Sequence, residues 1–392
     1  MTRPESNEHW AIRGKGNRGY FAAMHPDMRI LIWYWGRRGA GAQITYRLAE
    51  ALARREDVTV ALSLSSNAEL LHQTKRLGLP LDAVPTYANT LGFLGSSLRI
   101  LSLRRRLKDQ ALNFGADVIV SIMTHLWTPL IAPDLKRAGL RYFPFIHDVE
   151  PHPGDPGLLW EWRLRRELDA AHSAIAFSDL VMQGILRRRP TLPVYRMLLG
   201  APLLGSVSQA RYQSDDTVRF ICPGRLLAYK GLDLLRDAWK LLHARHSEAR
   251  LSIVGEGDVE TLAPGLSSLD GVSVQTRWLP EDQMANMISS ADAVVLPYRE
   301  ASQSGIIAAA HGLGVPVVAT PVGALPDQIR NGVDGIIARA VNAEALADAL
   351  AIICDRSKRA ALTSGAQESS VRLNDWDSIA GNFLSILKAA SR

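Results

Sequence analysis

From Met28 onward, short apolar runs alternate with longer amphipathic ones, and the series runs through the chain twice. A run such as Arg29–Tyr34 (RILIWY) is apolar on both sides of the pleat, so a strand made from it must be covered on both faces. A parallel sheet wrapped by helices meets that condition, and few other architectures do. Strands are predicted at Arg29–Tyr34, Val58–Leu64, Val118–Ile122 and Tyr142–Ile146, with a helix through Ile44–Arg54 after the first. A stretch containing Pro, Gly and Ser, Leu199–Ser208 (LGAPLLGSVS), interrupts the pattern. It restarts with strands at Val218–Cys222, Arg250–Val254, Val272–Thr276, Ala293–Pro297, Pro316–Ala319 and Gly335–Ala338. At 392 residues and 47% hydrophobic content, there is apolar material for two cores. The chain is therefore expected to be α/β, with two Rossmann-like parallel-sheet domains facing across a cleft. Ligand should bind at the carboxyl ends of the strands. The expected bounds are 1–27 for a disordered extension, 28–200 for the first domain and 209–374 for the second. An amphipathic helix within 375–392 should pack back toward the first domain.

A formal charge of +6 favours anionic partners, but the basic residues are spread along the chain. No nucleic-acid stripe is formed, and no nucleic-acid partner is expected. Cys222 and Cys354 are the only cysteines and lie far apart in apolar contexts. They read as buried thiols of a reducing cytoplasm, not as a disulfide or metal framework. No apolar run reaches the roughly 18 residues of a spanning helix. Residues 1–27 lack the apolar stretch of a signal peptide.

Five segments of the second half place polar chemistry at strand ends. Cys222–Trp239 (CPGRLLAYKGLDLLRDAW) sets Gly224, Arg225 and Lys230 between a strand and a helix, where cations and helix amides both favour an anion. Taken alone, the segment is equally readable as a solvated loop. Leu251–Asp258 (LSIVGEGD) runs a strand into a glycine-rich turn, and Arg277–Gln283 (RWLPEDQ) is a polar loop after another. Ala291–Glu300 (ADAVVLPYRE) continues into Ala301–Ala310 (ASQSGIIAAA), where a helix of small residues begins with free amides. Gly314–Gly323 (GVPVVATPVG) and Asn331–Gly335 (NGVDG) punctuate the last strands.

In order and spacing, Val218–Ala338 resembles the nucleotide-binding domain of glycosyltransferase family 4, a retaining family of the GT-B fold. The resemblance implies a nucleotide-diphosphate sugar as donor, with no cofactor besides that substrate and no metal. Arg225 and Lys230 would bind the diphosphate, and Gly255, Glu256, Arg277, Trp278 and Leu279 would line the nucleoside pocket. Ser302, Gln303, Ser304 and Gly305 would cap the phosphates and the sugar. The family's Glu-x7-Glu signature is incomplete. Its two positions fall on Ala301 and Ala309; Glu300 could supply the first acid by a one-residue shift, and the second, a ribose ligand, is missing.

In the first half, Gly36–Gln43 (GRRGAGAQ) has the arrangement of a phosphate cradle, with Gly39 and Gly41 opening a helix. It lacks the dinucleotide fingerprint and the acid that would follow the second strand. Arg37 and Arg38 beside it either reach ligand or are solvated. His147 and Asp148 follow the strand Tyr142–Ile146. A histidine there is commonly a packed residue, but the segment from His147 to Gly154 resembles the acceptor-domain histidine segment of the same family, which implies a place for His147 near the donor sugar. Gly95–Phe114 reads as an amphipathic helix with Arg99, Arg104, Arg105, Arg106 and Lys108 clustered. Its basic face is either simply solvated or a peripheral contact with an anionic membrane. The acceptor is not identified. The implied reaction is sugar transfer with retention; an epimerase of the same fold and a non-catalytic nucleotide-sugar-binding protein are the alternatives.

Overall fold

The computed structural model describes residues 28–87, 99–151, 157–202 and 216–391. The expected extension over 1–27, much of the interdomain linker, His152 and the first residues of the basic helix lie outside this range. In chain order the strands are β1 (Met28–Tyr34), β2 (Val58–Ser65), β3 (Leu81–Val84), β4 (Val118–Ser121), β5 (Arg141–Ile146), β6 (Ala174–Ala176) and β7 (Val194–Arg196). They form one parallel sheet in the order β3-β2-β1-β4-β5-β6-β7. A second parallel sheet has the order β10-β9-β8-β11-β12-β13. Its strands are β8 (Val218–Pro223), β9 (Ala249–Val254), β10 (Val272–Gln275), β11 (Ala293–Leu296), β12 (Val317–Ala319) and β13 (Gly335–Ile337).

The double-sided coverage demanded by the apolar runs is visible residue by residue. Along β1, Ile30, Ile32 and Tyr34 enter one core while Leu31 and Trp33, with Trp35 just beyond, enter the core on the opposite face. Along β8, Phe220 and Cys222 face one way and Ile221 the other. Short β3, β6 and β7 were not expected from the sequence. β6 and β7 are three residues each, too short to display a period, and only pairing along the sheet edge defines them. The first helix is also longer than expected, Ala40–Ala53, because its opening residues are small and carry no apolar stripe.

The last helix, Trp376–Ala390, returns to the first lobe. Trp376, Ile379, Phe383, Leu384 and Leu387 are buried in the same core as Ile30, Leu48 and Phe145. Asp375 starts it by accepting the Ser378 amide at 2.9 Å, and Arg54 to Asp377 (2.7 Å) and Lys388 to Asp57 (3.0 Å) tie down its flanks. Two backbone segments thus pass between the lobes side by side. The Ala201 amide donates to the Leu373 carbonyl at 2.8 Å, and the Trp376 indole donates to the Ala201 carbonyl at 2.8 Å. Gly200 leaves no space for a side chain, since a Cβ there would lie 2.7 Å from the Trp376 ring.

The basic helix is described over Ile100–Phe114. Two of its cations are engaged within the lobe, Arg104 with Asp134 and Arg106 with Asp82. Among the described residues, no helix is long and apolar enough to cross a membrane.

Candidate active site in the interlobe cleft

A cavity of about 300 Å³ opens between the two lobes at the carboxyl ends of both sheets. Its second-lobe wall is built where β8 and β9 end. The Gly224 amide donates to the Val254 carbonyl (2.9 Å), the Leu226 amide to the Glu256 carbonyl (2.8 Å) and the Gly255 amide to the Gln275 carbonyl (3.0 Å). Gly255 holds a φ of +152°, and a Cβ on it would lie 1.9 Å from the Gly224 carbonyl oxygen, so only glycine permits the two loops to run this close. Gly224, Arg225, Lys230, Gly255 and Glu256 all border the cavity.

Lys230 ends a short 3-10 turn, Ala228–Lys230, and its ammonium stands 3.7 Å from the centre of the Tyr298 ring and 5.1 Å from that of Tyr229. Burial and the neighbouring Arg225 charge push its pKa down to about 8. Among the described residues, neither Arg225 nor Lys230 has a carboxylate partner, although paired arginines are frequent elsewhere in the chain. Two adjacent cations, one of them substantially desolvated, create an anion-binding potential that the protein does not itself neutralise.

The helix Gly305–Gly312 adds to that potential. Ser304 is its N-cap residue but makes no side-chain cap, which leaves the first helical amides of Gly305 and Ile306 at the cavity wall. The Ser304 peptide is clamped by Gln328, whose Oε1 accepts the Ser304 amide (2.7 Å) and whose Nε2 donates to the Ser304 carbonyl (3.0 Å). Gln303 also lines the cavity, together with Arg277, Trp278 and buried Leu279. Trp278 receives the Arg38 guanidinium of the opposite lobe at 5.6 Å.

Several expected site residues are placed elsewhere. Glu300 is exposed and does not border the cavity. Ser302 instead joins the lobes, its carbonyl accepting the Ser178 hydroxyl at 3.0 Å. Gly39 borders the cavity, but its amide is already donated to Glu69 Oε1 at 2.8 Å, so a protein carboxylate occupies one of the cradle's donors. Gly41 serves packing: a Cβ would sit 2.5 Å from the Tyr34 ring. His147 is buried and not at the main cavity. It borders a smaller one of about 280 Å³ together with Asp148, Thr124, Trp160 and Arg163, and Arg225 is common to both.

Both ring nitrogens of His147 are engaged, Nε2 with the Ile122 carbonyl (2.8 Å) and Nδ1 with Gln303 Nε2 (2.7 Å). Burial lowers its pKa, so the ring is neutral. The smaller cavity is floored by Glu167, which burial drives toward its neutral form while Thr124 (2.6 Å) and the Tyr142 hydroxyl (2.8 Å) donate to it.

Glu281 was not singled out from the sequence, yet its half-buried carboxyl borders the cavity that Ala309 also lines. Burial and the facing Glu69 raise its pKa. Its only sequence signal is a position at the start of a helix, which countless surface acids share. The fold also brings together His246, Glu248 and Cys354, whose ligand atoms lie within 4.8 Å of one another, a grouping that sequence spacing does not reveal. It lies at the amino end of β9, away from the cleft, and Cys354 is half-buried, not a core thiol.

Residues 217–356 match the family model described as "Glycosyl transferases group 1". The D-inositol 3-phosphate glycosyltransferase of Xylanimonas cellulosilytica is 30% identical over 186 residues, 45% of this chain, and the matched stretch spans only 43% of that relative's length. The GDP-mannose-dependent alpha-(1-6)-phosphatidylinositol monomannoside mannosyltransferase of Mycobacterium tuberculosis is 27% identical over 384 residues, covering 94% of this chain and 84% of the relative. Among solved structures, Anabaena Alr3699/HepE in complex with UDP and glucose aligns with a TM-score of 0.70 at 16% identity, over 92% of this chain and 100% of that one. Sucrose-phosphate synthase from Thermosynechococcus elongatus aligns with a TM-score of 0.73 at 18% identity, over 93% and 100%. The chain thus has the GT-B fold, and its second lobe carries the glycosyl transferases group 1 match.

Proposed function

We propose that this protein transfers a sugar from a nucleotide diphosphate to an acceptor, with retention at the anomeric carbon. The observation that carries the reading is the unneutralised pair Arg225 and Lys230 beside the uncapped start of the Gly305–Gly312 helix, all on one cavity wall. As the bond between the anomeric carbon and the phosphate oxygen breaks, negative charge gathers on the departing diphosphate. Fixed cations and amides aimed at that oxygen stabilise it without a divalent ion. The acceptor hydroxyl attacks the same face of the sugar, and its proton passes to the leaving phosphate oxygen. Neutral His147 is occupied at both nitrogens, so the proton has no route through it in this arrangement. The smaller cavity, which shares Arg225 as a lining residue with the main one, is where the acceptor is proposed to sit. Of the two glutamates that border the cavity, Glu256 and Glu281, the half-buried Glu281 is proposed for the donor ribose in place of the acid missing at Ala309. The reaction is proposed for the cytoplasmic side of the cell, with the Ile100–Phe114 helix as its peripheral membrane contact.

A thermal-shift panel of UDP, GDP, ADP and their sugars, with and without EDTA, tests this reading. One nucleotide diphosphate series should raise Tm whether or not EDTA is present; no stabilisation by any member would refute it. Product analysis then separates transfer from epimerisation, since an epimerase changes the nucleotide-sugar without an acceptor.

A further inference from the structure

The neutral His147 ring has one proton to place, and the Ile122 carbonyl decides where. A carbonyl only accepts, so Nε2 carries the hydrogen and donates across 2.8 Å. Nδ1 is then a bare lone pair, and the group 2.7 Å away must be the NH2 end of the Gln303 amide. That fixes the sense of an amide that would otherwise be free to flip. The other end, Gln303 Oε1, is consequently turned away from His147, and it is buried without a hydrogen-bond partner. Buried carbonyl oxygens are rarely left this way, because the lost hydration is not recovered. This one belongs to a residue in the cavity wall, next to Ser304 and Gly305 and opposite the first-lobe helix.

Resting on the donor-site reading above, we infer that Gln303 Oε1 is a specificity-determining acceptor for one hydroxyl of the donor sugar, and that His147 is a positioning residue which holds the amide in the orientation that reads it. The sugar is the assigned occupant because Arg225, Lys230 and the free helix amides on the same wall take the diphosphate, and the sugar is the unit attached to it. The device selects a hydrogen-bond donor. A sugar with fluorine at that position keeps its size and polarity, but it leaves Oε1 unpaired and puts a second acceptor against it.

The test is isothermal titration of the full chain with UDP and GDP, then with UDP-glucose and GDP-mannose and their monodeoxyfluoro analogues at each ring position. Wild-type protein should bind one analogue about ten- to a hundredfold more weakly than its parent. Gln303→Leu should bring that ratio near unity, with a cooperative ligand-free thermal transition near the wild-type Tm showing that the variant is folded. His147→Phe preserves the ring but frees the amide, so it should lower the ratio without the complete loss seen in Gln303→Leu. Nucleotide binding with no discrimination at any position in the wild type overturns this inference and leaves the donor site standing. Discrimination that survives in Gln303→Leu overturns it equally. Failure of every nucleotide to bind instead overturns the donor-site reading beneath it.

Discussion

On the proposed reading, Lys230 trades stability for binding. Its pKa of about 8 in the folded protein lies below the ordinary 10.5. Between those values the unfolded chain holds a proton that the native protein has released, so stability of the unliganded protein rises with pH across that window. Below it, the buried ammonium costs stability in full. Replacing Lys230 by Met should therefore raise Tm at pH 7 in the absence of ligand, while weakening UDP or GDP binding by about tenfold or more. A Lys230→Met protein that binds normally would remove the diphosphate role. The same titration predicts that wild-type nucleotide affinity, measured calorimetrically, declines as pH rises above 8. Lys230→Arg, which stays charged, should not show that decline. The sequence placed both cations at a strand-to-helix junction, and the structure brings them to the cavity. What it did not contain was the stacking on Tyr298, a residue 68 positions away that arrives only through the pairing of β11 with β8.

At the scale of elements, the last helix was legible as amphipathic, and its apolar stripe sits in the core of the lobe that begins the chain. Phe383 is fully buried there against Phe145, with ring centres 5.9 Å apart. Phe383→Ala should cost about 3–5 kcal/mol, measured by denaturant unfolding. Because the side chain belongs to the first-lobe core, the transition that moves should be that lobe's; a shift confined to the second lobe would contradict the packing. The basic helix shows the reverse limit. Five cations cluster in its sequence, but Arg104 and Arg106 are spent on Asp134 and Asp82, leaving Arg99, Arg105 and Lys108 for any anionic surface. Partners contributed by other elements are invisible to a helical projection.

For the whole molecule, the described state is one with the lobes in contact. Ser178 to Ser302, Arg38 over Trp278 and Gln303 to His147 each cross the cleft. If ligand entry parts these contacts, the two crossing segments near Ala201 and Leu373 are the expected pivot. Small-angle scattering should show a larger radius of gyration for the unliganded Ser178→Ala, Arg38→Ala double variant than for the wild type, and added nucleotide-sugar should reduce that difference. An unchanged radius in both experiments would mean that the lobes do not move. The sequence by itself determined the two parallel sheets, since runs apolar on both sides admit little else, and it located the cationic loop and the small-residue helix start. Only the tertiary structure decided which of the marked residues meet. Glu300 and Ser302 lie off the cavity, Gly41 is spent on the Tyr34 ring, and Glu281 and Gln303 stand at the wall. The reason is geometric. A side chain's partners are set by strand order and lobe apposition, which join residues such as His147 and Gln303 across 156 positions of chain. Local periodicity, which acts over a few residues, cannot encode that separation.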